Sequence, residues 1–167
     1  MLNIAAFTFT YDQLEDRILL IGNHSNGQQR IDFWLTRKLV LRLLAAAGGL
    51  IEKTSGDIAD APVAHKADLA QFHHESAQQS LQVEREQANV VANNSDLLCR
   101  LDISHQDGRY RMLFFTGGDD PIAVSILNYD ELHQVLHLIH RGAMALDWGA
   151  DSQLFKSSTV GSTSLLQ

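Results

Sequence analysis

The chain has 167 residues, with 20 acidic against 13 basic side chains, 45% hydrophobic residues, two prolines and one cysteine. These proportions suit one compact soluble domain and exclude fibrous, disulfide-framework and low-complexity classes. A net charge of −7 argues against a surface built to wrap nucleic-acid phosphates or anionic lipid.

Met1 to Tyr11 lacks the basic start and continuous apolar core of a signal peptide. Within it Phe7, Phe9 and Tyr11 alternate with Thr8 and Thr10, the period-two pattern of a strand with one buried face. Arg17 to Gly22 suits a second strand. His24-Ser25-Asn26-Gly27 offers Asn-Gly for a tight hairpin turn, and Arg30 to Leu35 alternates again as a third strand. From Thr36 the period becomes helical, with Val40, Leu43, Leu44, Ala47 and Ile51 on one stripe. The five small residues Ala45 to Gly49 permit close approach to this helix. Leu39 to Ile51 is the longest apolar run; Arg42 interrupts it, and it falls short of the roughly 20 residues a membrane span needs.

A polar stretch, Lys53 to Ser95, follows. Asp60-Ala61-Pro62 marks a helix start, and Val63, Leu69, Phe72, Leu81 and Val83 are too widely spaced for a core-facing stripe. The expectation is a largely solvated helix from about Pro62 to Asn89, with fraying ends, that arches over a sheet, reaches a partner or stays mobile. The lone Cys99 cannot form an internal disulfide and suits a reducing compartment. Together with the missing signal peptide and span, this gives a cytoplasmic expectation.

The first order of elements then returns: Leu97 to Ser104, Arg109 to Phe115, a turn at Gly117-Gly118-Asp119-Asp120, Pro121 to Leu127 and a helix from Asn128. A shift of 92 residues superposes the halves without a gap, placing Phe9 on Leu101, Tyr11 on Ile103, Leu20 on Met112 and Leu35 on Leu127. The helix stripes coincide as well, Val40 with Leu132 and Ile51 with Ala143. So do the N-caps Thr36 and Asn128, the latter with Glu131 at capping-box spacing. The expected fold is α+β: two tandem βββα units forming antiparallel sheets with packed helices about a pseudo-twofold, joined by a polar helix. The boundaries are 1–53, 54–95, 96–148 and a tail 149–167, docked only where Leu154 and Phe155 can pack. By unit, residues 1–53 carry +1, 54–95 carry −4, 96–148 carry −4, and the tail is neutral.

No phosphate loop, nucleophile elbow, His-Glu-x-x-His or Cys-x-x-Cys pair is present. The sharpest cluster is Asp130, His133, His137, His140 and Met144 on the last helix, within about 80° of arc beside its apolar stripe. His133 and His137 have the i,i+4 spacing that lets two imidazoles share a zinc-type ion. A third ligand has to come from elsewhere, such as His105 or an acidic turn. The plainer reading is a polar flank or subunit contact. Arg37, Lys38 and Arg42 open the first helix, where cations oppose the dipole. The 92-residue shift sets Lys38 on Asp130, so these opposite charges are expected to meet across the pseudo-twofold. The competing use of Arg37 and Lys38 is an anion site at the helix start. Asp119-Asp120 suit a turn, and His65, His73 and His74 a solvent-facing flank. Asp102, Ser104 and His105 alternate along a strand and cannot form a triad by proximity.

Asp16-Arg17-Ile18-Leu19-Leu20 followed by Phe33-Trp34-Leu35-Thr36-Arg37-Lys38-Leu39 resembles a pattern in small uncharacterised bacterial proteins that carry a Trp-Leu-Thr-Arg segment. The resemblance covers about a quarter of the chain and implies no activity. Paired sheet-plus-helix repeats also look like those of Whirly and PUR-type nucleic-acid-binding domains, although those use four-stranded units with basic, aromatic-bearing faces. The expected function is non-enzymatic: a self-associating, protein-binding or assembly module with no cofactor, contacts at Lys38, Arg42, Asp130 and His140, and no membrane role. A metal-binding protein using His133 and His137 is the first alternative, and single-stranded nucleic-acid binding through the first half is the second.

Overall fold

Two runs of alternating residues followed by an apolar helical stripe occur in this chain, and each run folds into a three-stranded meander closed by a helix. The structure is a computed structural model that describes residues 1–79 and 94–154. In chain order its elements are β1 (Leu2–Asn3), β2 (Phe7–Asp12), β3 (Arg17–Gly22), β4 (Ile31–Leu35), α1 (Arg37–Thr54), α2 (Gly56–Ala59) and α3 (Val63–Gln79). Then come β5 (Asp96–Leu97), β6 (Arg100–Gln106), β7 (Arg109–Phe115), β8 (Ala123–Leu127) and α4 (Tyr129–Ala145). The fold is α+β, and both halves follow the same order of elements. No helix among the described residues is long and apolar enough to cross a membrane.

Each sheet has four strands instead of the expected three, in the orders β2-β3-β4-β5 and β6-β7-β8-β1. The fourth strand is a short arm borrowed from the other half, and it runs parallel to its neighbour. Leu2 lies opposite Ala123 on β8, and Asp96 lies opposite Phe33 on β4. The sheets are therefore mixed, not wholly antiparallel. Two-residue arms carry no visible periodicity; what fixes them is the burial of Ile4 and Leu98, each 1% exposed, and the bonds Ile4 N to Val124 O and Leu98 N to Trp34 O.

The gapless 92-residue superposition fails in the first hairpins. Four residues, Gln13 to Asp16, join β2 to β3, whereas Asp107-Gly108, both at positive φ, join β6 to β7 in two. Phe9 faces Leu20 while Ile103 faces Met112, so Phe9 corresponds to Ile103 and Tyr11 to His105, two residues further on than expected. The expected tight turn at His24 to Gly27 is instead an eight-residue loop, 23–30. The buried Asn23 ties this loop down, its side chain accepting from Ala5 N and donating to the Asn3 and Gln29 carbonyls.

The helices follow the sequence closely. The buried residues of α1 are Val40, Leu43, Leu44, Ala47 and Ile51, and Thr36 Oγ1 caps its start. In α4, Asn128 and Glu131 form the capping box, and Leu132, Val135, Leu136, Ile139 and Ala143 are buried, joined by His133, His140 and Gly142. The inner sheet faces share one core, with Phe33 and Phe114 stacked at 5.5 Å. The halves are interleaved: α4 lies over β2 and β3 of the first half, and α1 reaches β6 of the second.

The connecting helix α3 begins at Val63 as expected, and the part expected beyond residue 79 lies outside the described residues. It is not wholly solvated. Ala67, Ala70 and His74 are buried against α1 and α4, while the larger Val63 and Phe72 are 87% and 66% exposed. Small residues let the helix lie close, so its buried face is marked by alanines and a histidine, not by strong hydrophobes. At the other end Leu154 packs partly against the core; Phe155 lies outside the described residues.

Candidate functional site

Two seams run between a helix and the outermost strand of a sheet. In the first, α4 is sealed onto β2 and β3 in its C-terminal half, around Tyr11 and Gly142, while a cavity of about 500 Å³ remains beside its N-terminal half, lined by Phe7, Glu131, Gln134, Val135 and Leu138 among others. The Tyr11 hydroxyl donates to the Leu138 carbonyl at 2.9 Å, and burial raises its pKa above the ordinary tyrosine value against a lowering by Arg141. Gly142 lets the backbone approach so closely that a β-carbon there would stand 2.5 Å from the Tyr11 ring and 2.7 Å from Ile18. Past the end of α4, the buried Trp148 donates through Nε1 to Asp16 in the β2–β3 turn at 2.6 Å.

The second seam, between α1 and β6, is open. Here Ala46 stands where the other half has Leu138, and Leu50 where it has Gly142. A groove of about 330 Å³ remains, its wall of α1 running from Leu39 through Leu43 and Ala46 to Leu50, its strand wall formed by Leu101 and Ile103. Arg42 stands at its rim, and Cys99 and the start of β6 line it, with the Arg100 side chain turned to the outer sheet face over Phe115 and beside Asp102. The far end is tied shut by the Thr54 and Tyr110 hydroxyls, 2.7 Å apart. Since Tyr110 lies opposite His105, the end of β6 is beside the end of α1, and the two elements start together at the arginine end. An apolar trough with one cationic end can hold a partner's apolar side chains and orient them by charge.

The histidines build a different feature. Nδ1 of His74 on α3 and Nδ1 of His133 on α4 are 2.9 Å apart in a buried contact, a hydrogen-bond distance that requires one ring to donate and the other to accept. Both are held neutral. Burial, then the neighbouring His133, His137 and His140, lower His74 to about 3; burial, then His73, lower His133 to about 4. Burial followed by Arg141 and His140 lowers His137, whose ring is 5.8 Å from that of His74. The partner brought to His133 is thus His74, from a helix with no visible amphipathic signal. Among the described residues no three His, Cys, Asp or Glu side chains are grouped to hold a metal ion. His105 packs against the Tyr110 ring instead, with centroids 4.6 Å apart. His140 is buried, with Nε2 2.6 Å from the Asp151 carbonyl, where it holds the segment after α4.

The expected charge pairing is not formed. Among the described residues the ion pairs are Arg17–Glu15, Arg30–Asp32 and Arg100–Asp102; none joins Arg37 or Lys38 to Asp130 or Glu131. Glu131 turns back on its own helix start instead, accepting from Asn128 N at 2.7 Å, while Arg37, Lys38 and Asp130 stay exposed. Asp102 and Ser104 face outward and His105 inward, as strand alternation requires.

Of the groove, the sequence reading singled out Arg42 and the small run containing Ala46 and Ala47, but not the β6 side. The strand wall was missed because its neighbour across the groove belongs to the other half. Comparison with protein-family models, with curated proteins and with solved structures found no match.

Proposed function

We propose that this chain is a non-enzymatic protein-binding module whose working surface is the groove between α1 and β6. The observation that carries this reading is a local contrast between the two seams: the stretch that Tyr11 and Gly142 seal in one is left open over Leu43, Leu50, Leu101 and Ile103 in the other, while the cavity that remains in the first is edged by the polar Glu131 and Gln134. An apolar trough with unsealed walls gains most from a partner that removes Leu39, Leu43, Leu50, Leu101 and Ile103 from water, at roughly 25 cal/mol per Å² buried.

The alternatives have less support. Base stacking needs free aromatic faces on a sheet, yet the Trp34 ring lies under the Arg17 guanidinium at 4.0 Å and the Phe115 ring under that of Arg100 at 3.7 Å. In the histidine seam, the 2.9 Å separation of the two Nδ1 atoms fits a hydrogen bond between neutral rings.

The test uses affinity capture by the full chain from its native cells, followed by titration with the recovered protein after purification. Ala46→Trp, at an exposed position on the groove wall, is expected to weaken that binding at least tenfold while the thermal midpoint stays within a few degrees. A partner that binds Ala46→Trp as tightly as the unaltered chain would sink the groove as the working surface.

A further inference from the structure

The groove runs beside a strand edge with which no described strand pairs. Among the described residues, β6 pairs only with β7, so its other side forms the edge of the sheet. Gln106 and Arg109 flank a two-residue turn and are therefore a hydrogen-bonded pair, and hydrogen-bonded and non-bonded pairs alternate along the ladder. Ser104 and Asp102 thus turn their backbone groups toward β7, whereas Leu101, Ile103 and His105 turn theirs to the open edge. Leu101 and Ile103 are also the residues whose side chains form the groove wall. A segment that paired with them would set its alternate side chains into the trough, against Leu43, Ala46 and Leu50. Edges are commonly blunted by charged side chains or proline; β6 has no proline, and its charged residues Arg100 and Asp102 both point to the outer sheet face, away from the trough.

Charge gives the trough a direction. The α1 and β6 starts coincide at the end that carries Arg42 and Arg100, and the first turn of α1 contains no acidic residue to offset the positive end of its dipole. Arg42 is exposed and forms no ion pair among the described residues. Arg100, at the start of β6, is held on the outer sheet face by Phe115 at 3.7 Å and the half-exposed Asp102 at 3.3 Å, so Arg42 is the cation that faces the trough. The other end, around Leu50 and Ile103, is apolar. A cationic end in a chain of net charge −7 selects its partner by sign.

We infer that the partner enters this groove as an extended strand added to the edge of β6, with alternating apolar side chains in the trough and Asp or Glu side chains at the end that carries Arg42 and the start of α1. The inference rests on the binding-module reading and names its ligand class and mode of entry. Strand addition supplies affinity through main-chain hydrogen bonds, and the alternate pockets with the charged end supply selectivity.

The test titrates nitrogen-15-labelled full-length chain with nine-residue peptides, acetylated and amidated so that no terminal charge competes. One alternates Val, Leu and Ile with Thr and carries two Glu at one end; a second has Lys for Glu; a third has the composition of the first with proline at alternate positions. The acidic peptide should bind and protect the Leu101, Ile103 and His105 amides from hydrogen exchange, with the Lys and proline peptides at least tenfold weaker. Arg42→Glu should weaken the acidic peptide at least tenfold and favour the Lys peptide.

Equal binding of the acidic and Lys peptides, or binding without protection of those amides, overturns the inference. So does slowed exchange at the β6 edge before any peptide is added: if it follows protein concentration the occupant is a second copy, and if it vanishes in a chain cut after residue 154 the occupant is the chain's own tail. Failure of every peptide also overturns it. Loss of the captured partner by Ala46→Trp would then leave the binding-module reading standing, so the two failures remain distinct.

Discussion

The α4–β2 seam and the α1–β6 seam are built from the same kinds of element in the same order, yet the stretch around Tyr11 and Gly142 is closed in the first and its counterpart at Leu50 is open in the second. The difference comes from a handful of side chains. A glycine at position 142 brings α4 down onto Tyr11 and Ile18, and the Tyr11 hydroxyl then reaches a main-chain carbonyl it could not approach past a larger residue. In the other seam Leu50 takes the glycine's place 92 residues away, and His105, paired across the strand with Tyr110, takes that of Tyr11. The helix is held off at Leu50 and anchored only at Thr54, leaving the trough between. Small local choices of this kind can convert a packing seam into a binding surface without altering the fold.

The largest expected effect comes from forcing the closed seam apart. Gly142→Ala puts a β-carbon 2.5 Å from the Tyr11 ring, and overpacking of this kind should cost about 2–3 kcal/mol in urea unfolding. A loss below about 1 kcal/mol would mean that the seam yields, and that its closure does not depend on the glycine.

The second effect is the acid response of the histidine contact that pins α3 to α4, away from the open groove. Both folded-state pKa values, about 3 for His74 and about 4 for His133, lie below the ordinary value of 6.5. As pH falls, the unfolded chain binds protons first. The stability contributed by the pair is full above about pH 6.5, declines as pH falls toward 4 and 3, and levels off below both. Urea midpoints measured from pH 7.5 to 4.5 should therefore fall, and less steeply in His133→Gln; an unchanged slope in that variant would rule the pair out as the source.

Tyr11→Phe removes the bond to the Leu138 carbonyl and should cost about 1 kcal/mol, measured the same way. No loss would assign the closure to Gly142 alone. The smallest effects belong to the open side. Gly49→Ala meets no atom within 4 Å of the added carbon and replaces a glycine inside α1, which should stabilise the chain by about 0.5–1 kcal/mol. The opposite sign from Gly142→Ala is the point of that measurement, and equal destabilisation would erase the contrast between the helices.

Much of the fold was legible. The residues buried on α1 are those of its stripe, and both N-caps are where Thr36 and Asn128 predict them, because a helix buries whatever recurs at its own period and ends where a side chain can satisfy its free N–H groups. The site was legible only in part. Arg42, Ala46 and Ala47 drew notice as a cation and part of a small-residue run, whereas the apposition of Leu101 and Ile103 to α1 had no local signal. His133 and His137 matched in spacing, but the residue that meets His133 is His74, from a helix whose contact face is alanine. The expected Lys38 to Asp130 pairing failed because Glu131 is satisfied by its own helix start and the exposed charges gain little by meeting.

By itself, the sequence determined the α+β class, the strands of each meander, the helix stripes and caps, and the absence of familiar catalytic motifs, since each of these depends on residues within a few turns or strand repeats of one another. Only the tertiary structure decided that the short arms change sheets, that α1 and α4 reach across the halves, and that the stretch around Gly142 closes while its counterpart at Leu50 stays open. Those outcomes depend on side-chain size at contacts separated by 50 to 130 residues, such as Tyr11 with Leu138 and Thr54 with Tyr110. No local period encodes a contact of that kind.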